Sequence, residues 1–295
     1  MRIWVLTRKE RLKTYQASRF KEEAEYLGVQ LRHVCAEDFE IVEPSDKPDK
    51  IWYKGKYISI PDVLITRVTG MSYFSFAFVR LLQRMGVLVM NSASSIELAE
   101  DKLRTVQVLT AKGLPIPKSI LAKFPVDTDY IGQQLGYPLI MKTVHGAKGE
   151  GVVLFENQSQ FKDVITVLQK ATEGKTNLIF QRYIASSFGR DVRVFVVGDQ
   201  AIGAVMRQGA EGQFKANVSA GGSAHYFALD KQLADLAVEA SQALGLSIAG
   251  VDFLFDGEGF LIGEVNSSPS FQGFETDSKA NVPRLILEYA LKIKS

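Results

Sequence analysis

Residues 250–270 read Gly-Val-Asp-Phe-Leu-Phe-Asp-Gly-Glu-Gly-Phe-Leu-Ile-Gly-Glu-Val-Asn-Ser-Ser-Pro-Ser, and no other stretch restricts the chain as much. Two β-rich runs, Val251–Asp256 and Phe260–Asn266, flank Gly257-Glu258-Gly259, which predicts a β-hairpin. If the turn is a three-residue loop closed by Asp256 and Phe260, Asp252 falls opposite Glu264. Opposed residues in an antiparallel pair share a face. Asn266 points to that face too, and its partner across the ladder, Gly250, has no side chain to fill the space. Two carboxylates side by side repel unless a cation lies between them. Oxygen ligands of this kind suit Mg²⁺, which keeps several waters and is completed by substrate phosphates. The hairpin therefore reads as a magnesium–nucleotide platform. Taken singly, each acid reads as a solvated surface residue, and a one-residue slip would put Glu264 on the face opposite Asp252.

The rest of the chain excludes several classes. Its 295 residues suggest two domains, or three small ones, with a sizeable core. A hydrophobic fraction of 46% and a charged fraction of 23% are those of an ordinary globular protein. With a net charge of +2 and no long Lys/Arg run, nothing points to nucleic acid. The lone Cys35 excludes an intrachain disulfide and a cysteine-based zinc site, and reads as a small residue at a strand end. Ile3–Leu6 is apolar, but Arg8, Lys9, Glu10 and Arg11 follow at once, so a signal peptide is not expected. No segment reaches the roughly 18 apolar residues of a membrane helix. The expectation is a cytoplasmic protein without a membrane partner.

Strands over Arg2–Leu6, Val29–Val34, Asp62–Thr66 and Val87–Met90 alternate with helices over Thr14–Leu27 and Phe74–Met85. A small hairpin spans Trp52–Ile60, and together these predict an open α/β sheet over residues 1–92. One helix is expected over Ser94–Lys112, capped by Ser94 or Ser95, with a stop at Gly113-Leu-Pro-Ile-Pro117. Strands over Tyr137–Val144, Gly151–Phe155 and Asn177–Tyr183, with a helix over Ser159–Ala171, give a second α/β unit. Beyond it come strands Arg190–Val197 and Gln200–Arg207, a polar Gly-rich segment Gln208–Ser223 and an amphipathic helix Lys231–Leu244. The hairpin and a closing helix over Val282–Ile293 complete the chain.

No G-x-x-x-x-G-K-[ST] loop, G-x-G-x-x-G fingerprint or G-x-S-x-G elbow is present, and His33, His145 and His225 are isolated. A P-loop enzyme, a Rossmann dehydrogenase and a serine hydrolase are therefore not indicated. Lys142 interrupts the apolar run Pro138–Met141, and a lysine there needs an anionic partner. Glycines 146, 149 and 151 follow, and such a loop lets backbone N–H groups approach phosphate oxygens. The same stretch also reads as an ordinary hairpin with an edge-facing lysine. Arg190-Asp191-Val-Arg193 alternates with apolar residues and alone reads as a solvated strand face.

The order of the parts is more telling than any one of them. Tyr53-Lys-Gly55, Asp101-Lys-Leu-Arg104, Lys142 with its Gly-rich loop, Gln181-Arg-Tyr-Ile184, Asp191, Arg207, Lys215-Ala-Asn217, Gly221-Gly222, Val251-Asp252 and Glu264-Val-Asn266-x-Ser268-Pro269 follow in turn. This order resembles the ATP-grasp superfamily and, more narrowly, the RimK branch of glutamate ligases, over essentially the whole chain. The resemblance implies an α/β protein of α+β lobes, an ATP-grasp fold behind an N-terminal open α/β pre-ATP-grasp domain at 1–92. A central lobe with a Gly-rich lid would span 93–183, and a C-terminal lobe with the metal site 184–295. By the same likeness Lys102 and Lys142 hold the α- and β-phosphates. Gln181, Arg182 and Tyr183 line the adenine pocket, and Asp191 bonds the ribose hydroxyls. Lys215, Ala216 and Asn217 close over the phosphates, and Arg207 stabilises the transferring phosphoryl group. Asp252, Glu264 and Asn266 bind two Mg²⁺, for which Mn²⁺ can substitute, with Glu264 bridging them. One departure is Arg182, where the family often has Glu.

The implied activity is ATP-dependent joining of a carboxylate to an amine through an acyl phosphate. L-Glutamate would be added to the C-terminus of a protein or peptide, and a homo-oligomer is compatible with this. Two alternatives stay open: a ligase acting on another amine and a small-molecule or peptide acid, and a non-catalytic nucleotide-binding protein. Arg67, Arg193 and Lys148 are cations not needed for ATP and are expected to meet an acidic substrate. The first lobe, with Arg67 and the Arg8–Arg11 loop, is expected to help choose the acceptor.

Overall fold

The computed structural model describes every residue except 44–45, 144–150, 211, 213–220, 258, 279 and 295. In the first lobe, β1 (Arg2–Leu6), β2 (Gln30–Val34), β6 (Val63–Thr66) and β7 (Leu88–Met90) form a parallel sheet in the order β2-β1-β6-β7. The run Val63-Leu-Ile-Thr66 is buried throughout, the pattern of a parallel strand covered on both faces. Helices α1 (Tyr15–Tyr26) and α2 (Tyr73–Arg84) supply the crossovers. The insertion between β2 and β6 makes a small antiparallel sheet of β3 (Phe39–Glu40), β4 (Lys50–Tyr53) and β5 (Lys56–Ser59). Cys35 is buried, and burial raises its thiol pKa, as suits an inert core residue.

The single helix expected over 94–112 is two. Ser92 caps α3 (Ala93–Glu100), and Asp101 caps α4 (Lys102–Ala111). The Asp101 carboxylate accepts from the N–H groups of Leu103 and Arg104, both at 3.0 Å, with its own backbone extended. A side chain that caps its own downstream turn competes with helix continuation, so the break falls there. Lys102 is thereby the first residue of α4.

The central lobe is an antiparallel sheet in the order β10-β9-β11-β8, from β8 (Ser119–Lys123), β9 (Leu139–Thr143), β10 (Val152–Phe155) and β11 (Asn177–Arg182). Helices α5 (Thr128–Leu135) and α6 (Gln158–Ala171) cover it. The C-terminal lobe is a second antiparallel sheet in the order β14-β13-β12-β15-β16. Its strands are β12 (Arg190–Val197), β13 (Gln200–Gln208), β14 (Ser223–Phe227), β15 (Ile248–Asp256) and β16 (Gly259–Asn266). Helix α7 (Lys231–Ala243) packs on one face through Leu233, Ala237 and Ala240; α8 (Gln272–Ser278) and α9 (Val282–Lys294) follow the hairpin.

The cores show which lobes are packed together. Ile3, Val5, Phe20 and Ile65 of the first lobe share one cluster with Phe195, Ile248, Phe271 and Ile286 of the third. The central lobe has its own cluster around Leu139, Phe155, Phe161 and Phe180. Helix α3 buries Ala93 and Ile96 in the first lobe, whereas Leu109 of α4 joins the third-lobe core. The segment expected to open the central lobe at 93 therefore packs on the other two, and the central core starts with β8. Asn91 locks first to third lobe. Its amide accepts from the N–H groups of Ser247 and Ile248 at 2.7 and 2.9 Å and donates to the carbonyls of Ile248 and Ser267 at 2.7 and 2.8 Å.

Candidate active site

The hairpin β15–β16 forms with Asp252 opposite Glu264 and Gly250 opposite Asn266. The route to that register differs from the expected one. The turn is one residue shorter, since Asp256 pairs with Gly259, and the register then shifts between Asp252 and Phe253. Gly263 is the extra residue on β16, a β-bulge. A Cβ there would lie 3.1 Å from Leu254 Cγ. The bulge restores the pairing that the shorter turn displaces, so the two acids do share a face. At Gly250 a Cβ would meet Pro269 at 2.7 Å and the Arg193 stem at 3.4 Å, so this position has no room for a side chain.

Neighbouring ladders extend that face. Arg193 on β12 is paired with Asp252, and Asp191, two residues earlier, with Arg207 on β13. Period-two alternation puts Asp191 and Arg193 on one side, so four charged side chains converge. Arg193 binds Asp252 with Nε and Nη2, both at 2.6 Å. Arg207 binds Asp191 at 2.7 and 2.5 Å and reaches across to Asp252 at 2.8 Å. The result is a part-buried chain of two carboxylates and two guanidinium groups.

Their ionisation follows from position. Burial pushes the Asp252 carboxyl up, but Arg193 and Arg207 outweigh it and hold it below the usual carboxylate value. Burial lifts Asp191 to about 6 despite Arg207, helped by the nearby Asp252 charge. Asp252 has two guanidinium partners and Asp191 one, which explains the opposite directions. Burial opposes the Arg207 charge, and Asp252 and Asp191 together raise its pKa.

Glu264 remains exposed on the outer strand of the same face. Lys142 on β9 approaches from the central lobe. Burial lowers its pKa, the Glu264 charge raises it and the Lys102 charge lowers it, so these three groups lie within electrostatic reach of one another. Lys102 and Glu264 thus both lie near the Lys142 ammonium.

The expected adenine segment, Gln181–Tyr183, ends β11 and leads toward β12 of the C-terminal sheet. Gln181 is buried and donates to Ser119 Oγ at 2.9 Å on β8. The Arg182 backbone N–H donates to the Lys118 carbonyl, and its guanidinium pairs with Asp256 at 3.0 Å, near the tip of the β15–β16 hairpin. Arg182 therefore has an acidic partner on the facing lobe. Tyr183 is half-buried, and burial raises its phenol pKa. Lys215, Ala216, Asn217 and Lys148 lie outside the described residues.

One expectation needs revision: Arg193 is not held for an acidic substrate, because Asp252 occupies it. Asp191, in turn, accepts from Arg207 with both carboxylate oxygens. No spacing signals the Arg193–Asp252 pairing, because β12 and β15 meet only after 50 intervening residues, whereas Asp191 and Arg207 lie on the neighbouring strands β12 and β13. For the metal, the donor set is the test. Asp252, Glu264 and Asn266 offer oxygen ligands, the chemistry that Mg²⁺ takes. The Asn266 amide nitrogen is turned to Asp252 Oδ2 at 3.2 Å and to the Gly250 carbonyl at 3.4 Å, which leaves its oxygen as the cation-facing atom. Among the described residues no cluster of three or more His, Cys, Asp or Glu competes with this site. The residues fit an ion completed by water and phosphate.

Two antiparallel sheets, with Lys142 on one and Asp252 and Glu264 on the other, and Lys102 at the start of α4, are the arrangement of an ATP-grasp enzyme. Residues 1–96 match the RimK PreATP-grasp domain and residues 99–290 the RimK-like ATP-grasp domain. The chain belongs to the RimK-like ATP-grasp family, as an ATP-dependent, ADP-forming ligase. A probable alpha-L-glutamate ligase of Chromohalobacter salexigens is 37% identical over 294 residues, 99% of this chain and 95% of its own length. One from Vibrio cholerae is 34% identical over 99% of this chain and 96% of its own length. Among solved structures, the ATP-grasp ligase PsnB, complexed with minimal precursor, Mg and ADP, has a TM-score of 0.77 at 20% identity, covering 99% of this chain and 98% of its own. A RimK domain ATP-grasp protein from Sphaerobacter thermophilus has a TM-score of 0.75 at 18% identity, covering 98% and 99%. At these identities the structures establish the fold.

Proposed function

We propose that the protein adds L-glutamate to the C-terminal carboxylate of a protein or peptide. The observation that carries the reading is the facing of Lys102 and Lys142 with Asp252, Glu264 and Asn266. The relatives named probable alpha-L-glutamate ligase support the amino acid. PsnB, which shares the fold, has been captured with its precursor peptide, in line with a peptide acceptor.

The chemistry balances without a protein nucleophile. An acceptor carboxylate oxygen bonds to the γ-phosphorus as the β–γ bridging bond breaks and ADP departs. The amine of glutamate then bonds to the acyl carbon, phosphate leaves with the carbon–oxygen bond pair, and the nitrogen gives up a proton. When bound, Mg²⁺ offsets charge on the transferring phosphoryl group. Lys142 and Lys102 set positive charge where the phosphates lie. Asp252, Glu264 and Asn266 hold the ion, and Arg193 and Arg207 fix the Asp252 carboxylate in its rotamer. Asp191 keeps Arg207 oriented, and we assign Arg207 to the developing charge on the phosphoryl oxygens. The adenine and ribose roles of the Gln181–Tyr183 strand and Asp191 belong to this proposal, as do those of Lys215, Ala216 and Asn217 over the phosphates.

A screen tests it. Each common amino acid is offered with ATP, Mg²⁺ and a peptide ending in glutamate, and ADP release and product mass are followed. Glutamate is expected to give the fastest release and a peptide heavier by one glutamyl residue. A better amino acid, or extension of small-molecule acids only, would contradict the substrate assignment.

A further inference from the structure

A cavity of ≈ 120 Å³ lies at the C-terminal edge of the first-lobe sheet, where β1, β2 and β6 end. In open α/β sheets this edge is where ligands bind. Arg67, His33, Arg11, Gln16 and Gln272 contribute its polar lining. Four buried side-chain nitrogens there have no hydrogen-bond partner: Nε and Nη1 of Arg67 and both ring nitrogens of His33. Among the described residues Tyr137 Oη is the other such atom, so the orphans concentrate here.

Arg67 is 6% exposed. Its Nη2 donates to Gln16 Oε1 at 3.1 Å and to the Pro269 carbonyl, and no carboxylate pairs with it among the described residues. Burial lowers its pKa to about 10, and the charge it feels is a second cation, Arg11. A buried cation without a counter-ion is costly, and the structure holds two cations around one space. Burial and the Lys21 charge take His33 to about 4, so near neutral pH it is an uncharged donor and acceptor and not a third positive charge.

The cavity is tied to the metal hairpin. Pro269 lies three residues after Asn266, and Gln16 also donates to Ser270 Oγ at 2.9 Å. Its volume is about ten times what one water needs but below the roughly 300 Å³ of a whole-ligand pocket. It suits an anionic head group and not a peptide. In the ligation derived above, the acceptor carboxylate must reach the γ-phosphate, whereas glutamate keeps both of its carboxylates from start to finish. A permanent carboxylate anchor therefore fits the amine-bearing substrate.

We propose that this cavity binds a carboxylate of the incoming amino acid through the unpaired N–H groups of Arg67 and the guanidinium of Arg11. The assignment rests on the ligase reading for the identity of that amino acid. The test uses the full chain with Arg67→Gln and Arg11→Gln. KM for L-glutamate and for ATP is taken from ADP release, and L-glutamate affinity is measured by calorimetry with ADP and Mg²⁺ present. Each variant is expected to raise the glutamate KM and Kd tenfold or more, about 1.4 kcal/mol, with the ATP KM unchanged. L-Glutamine is expected to bind less tightly than glutamate if the side-chain carboxylate is the one held, and equally if it is the α-carboxylate. Wild-type glutamate affinity in both variants would overturn the proposal, as would inorganic phosphate displacing glutamate with equal affinity. If Arg67→Gln does not fold, Arg11→Gln at the cavity mouth decides by the same criteria. Glutamate-independent ADP release by the wild type would sink the ligase reading, and the calorimetric comparison would still decide the cavity.

Discussion

Replacing Asp252 by Asn tests whether this proposed metal ligand is also a structural keystone. Asp252 is 5% exposed and accepts from Arg193 twice, from Arg207 and from Asn266. An asparagine keeps one acceptor oxygen and turns an amide donor toward guanidinium or amide donors. It loses at least one charge-assisted bond and leaves two cations sharing the Asp191 charge. Breaking a buried ion pair on one side costs about 3–5 kcal/mol, a large share of the roughly 5–15 kcal/mol of a typical protein. At about 2–4 °C per kcal/mol for a domain of 150–250 residues, melting should fall by roughly 6–20 °C. Glu264→Gln is the control, because Glu264 is exposed and has no ion pair among the described residues. Both variants are expected to lose Mg²⁺-dependent ADP release, but only Asp252→Asn to lose stability. Thermal melts followed by near-ultraviolet circular dichroism, at equal salt and without nucleotide, decide it. An Asp252→Asn melt within 2 °C of wild type, by order-of-magnitude expectation from the same scaling, would refute the keystone argument.

Three further outcomes follow from the same geometry. Lys142→Met should weaken binding of a non-hydrolysable ATP analogue at least tenfold by calorimetry while stability stays level or rises, because a desolvated charge is removed; unchanged affinity would count against a phosphate role. His33 titrates near 4 when folded against 6.5 unfolded, so the unfolded chain binds the extra proton between those values and stability falls as pH drops through that window. Asp191, raised to about 6, acts in the opposite sense over part of it, so the informative quantity is the difference between wild type and His33→Gln, which should be flatter by up to about 3 kcal/mol in urea titrations at pH 4 to 6.5; parallel curves would contradict the buried neutral imidazole. Asn91→Ala strands two N–H and two carbonyl groups between lobes and should cost about 3 kcal/mol or more; a loss below about 1 kcal/mol would mean the lobes are held elsewhere.

Much of the site was legible because it is local. Asp252, Glu264, Asn266 and Gly250 lie on one hairpin, and a period of two places them. The turn length was misread by one residue, and the bulge at Gly263 cancelled the error. An isolated glycine inside a strand is a bulge signal, so Phe260-Leu-Ile-Gly-Glu264 did carry the warning. Non-local pairings were not legible. That Arg193 neutralises Asp252 depends on β12 lying beside β15, which no spacing encodes. The split at Asp101 was available as a helix-capping aspartate, but the continuous apolar pattern around it favoured one helix. Strands β8 and β14 went unseen because edge strands such as Ser119–Lys123 and Ser223–Phe227 carry mixed polar sequence and little alternation. Arg67 and Arg193 read alike as surplus cations in the sequence, and only the tertiary pairing separates Arg67, with no carboxylate partner among the described residues, from Arg193, which has Asp252.

The central claim is that an acceptor carboxylate is activated as an acyl phosphate on the face built by Asp252, Glu264 and Asn266. It is tested most directly with a peptide whose C-terminal carboxylate carries heavy oxygen, turned over with ATP, Mg²⁺ and L-glutamate. Mass spectrometry of the released phosphate should find one heavy oxygen per glutamate added, because the attacking carboxylate oxygen leaves with phosphate. Phosphate free of the label, alongside a glutamylated peptide, would contradict the account.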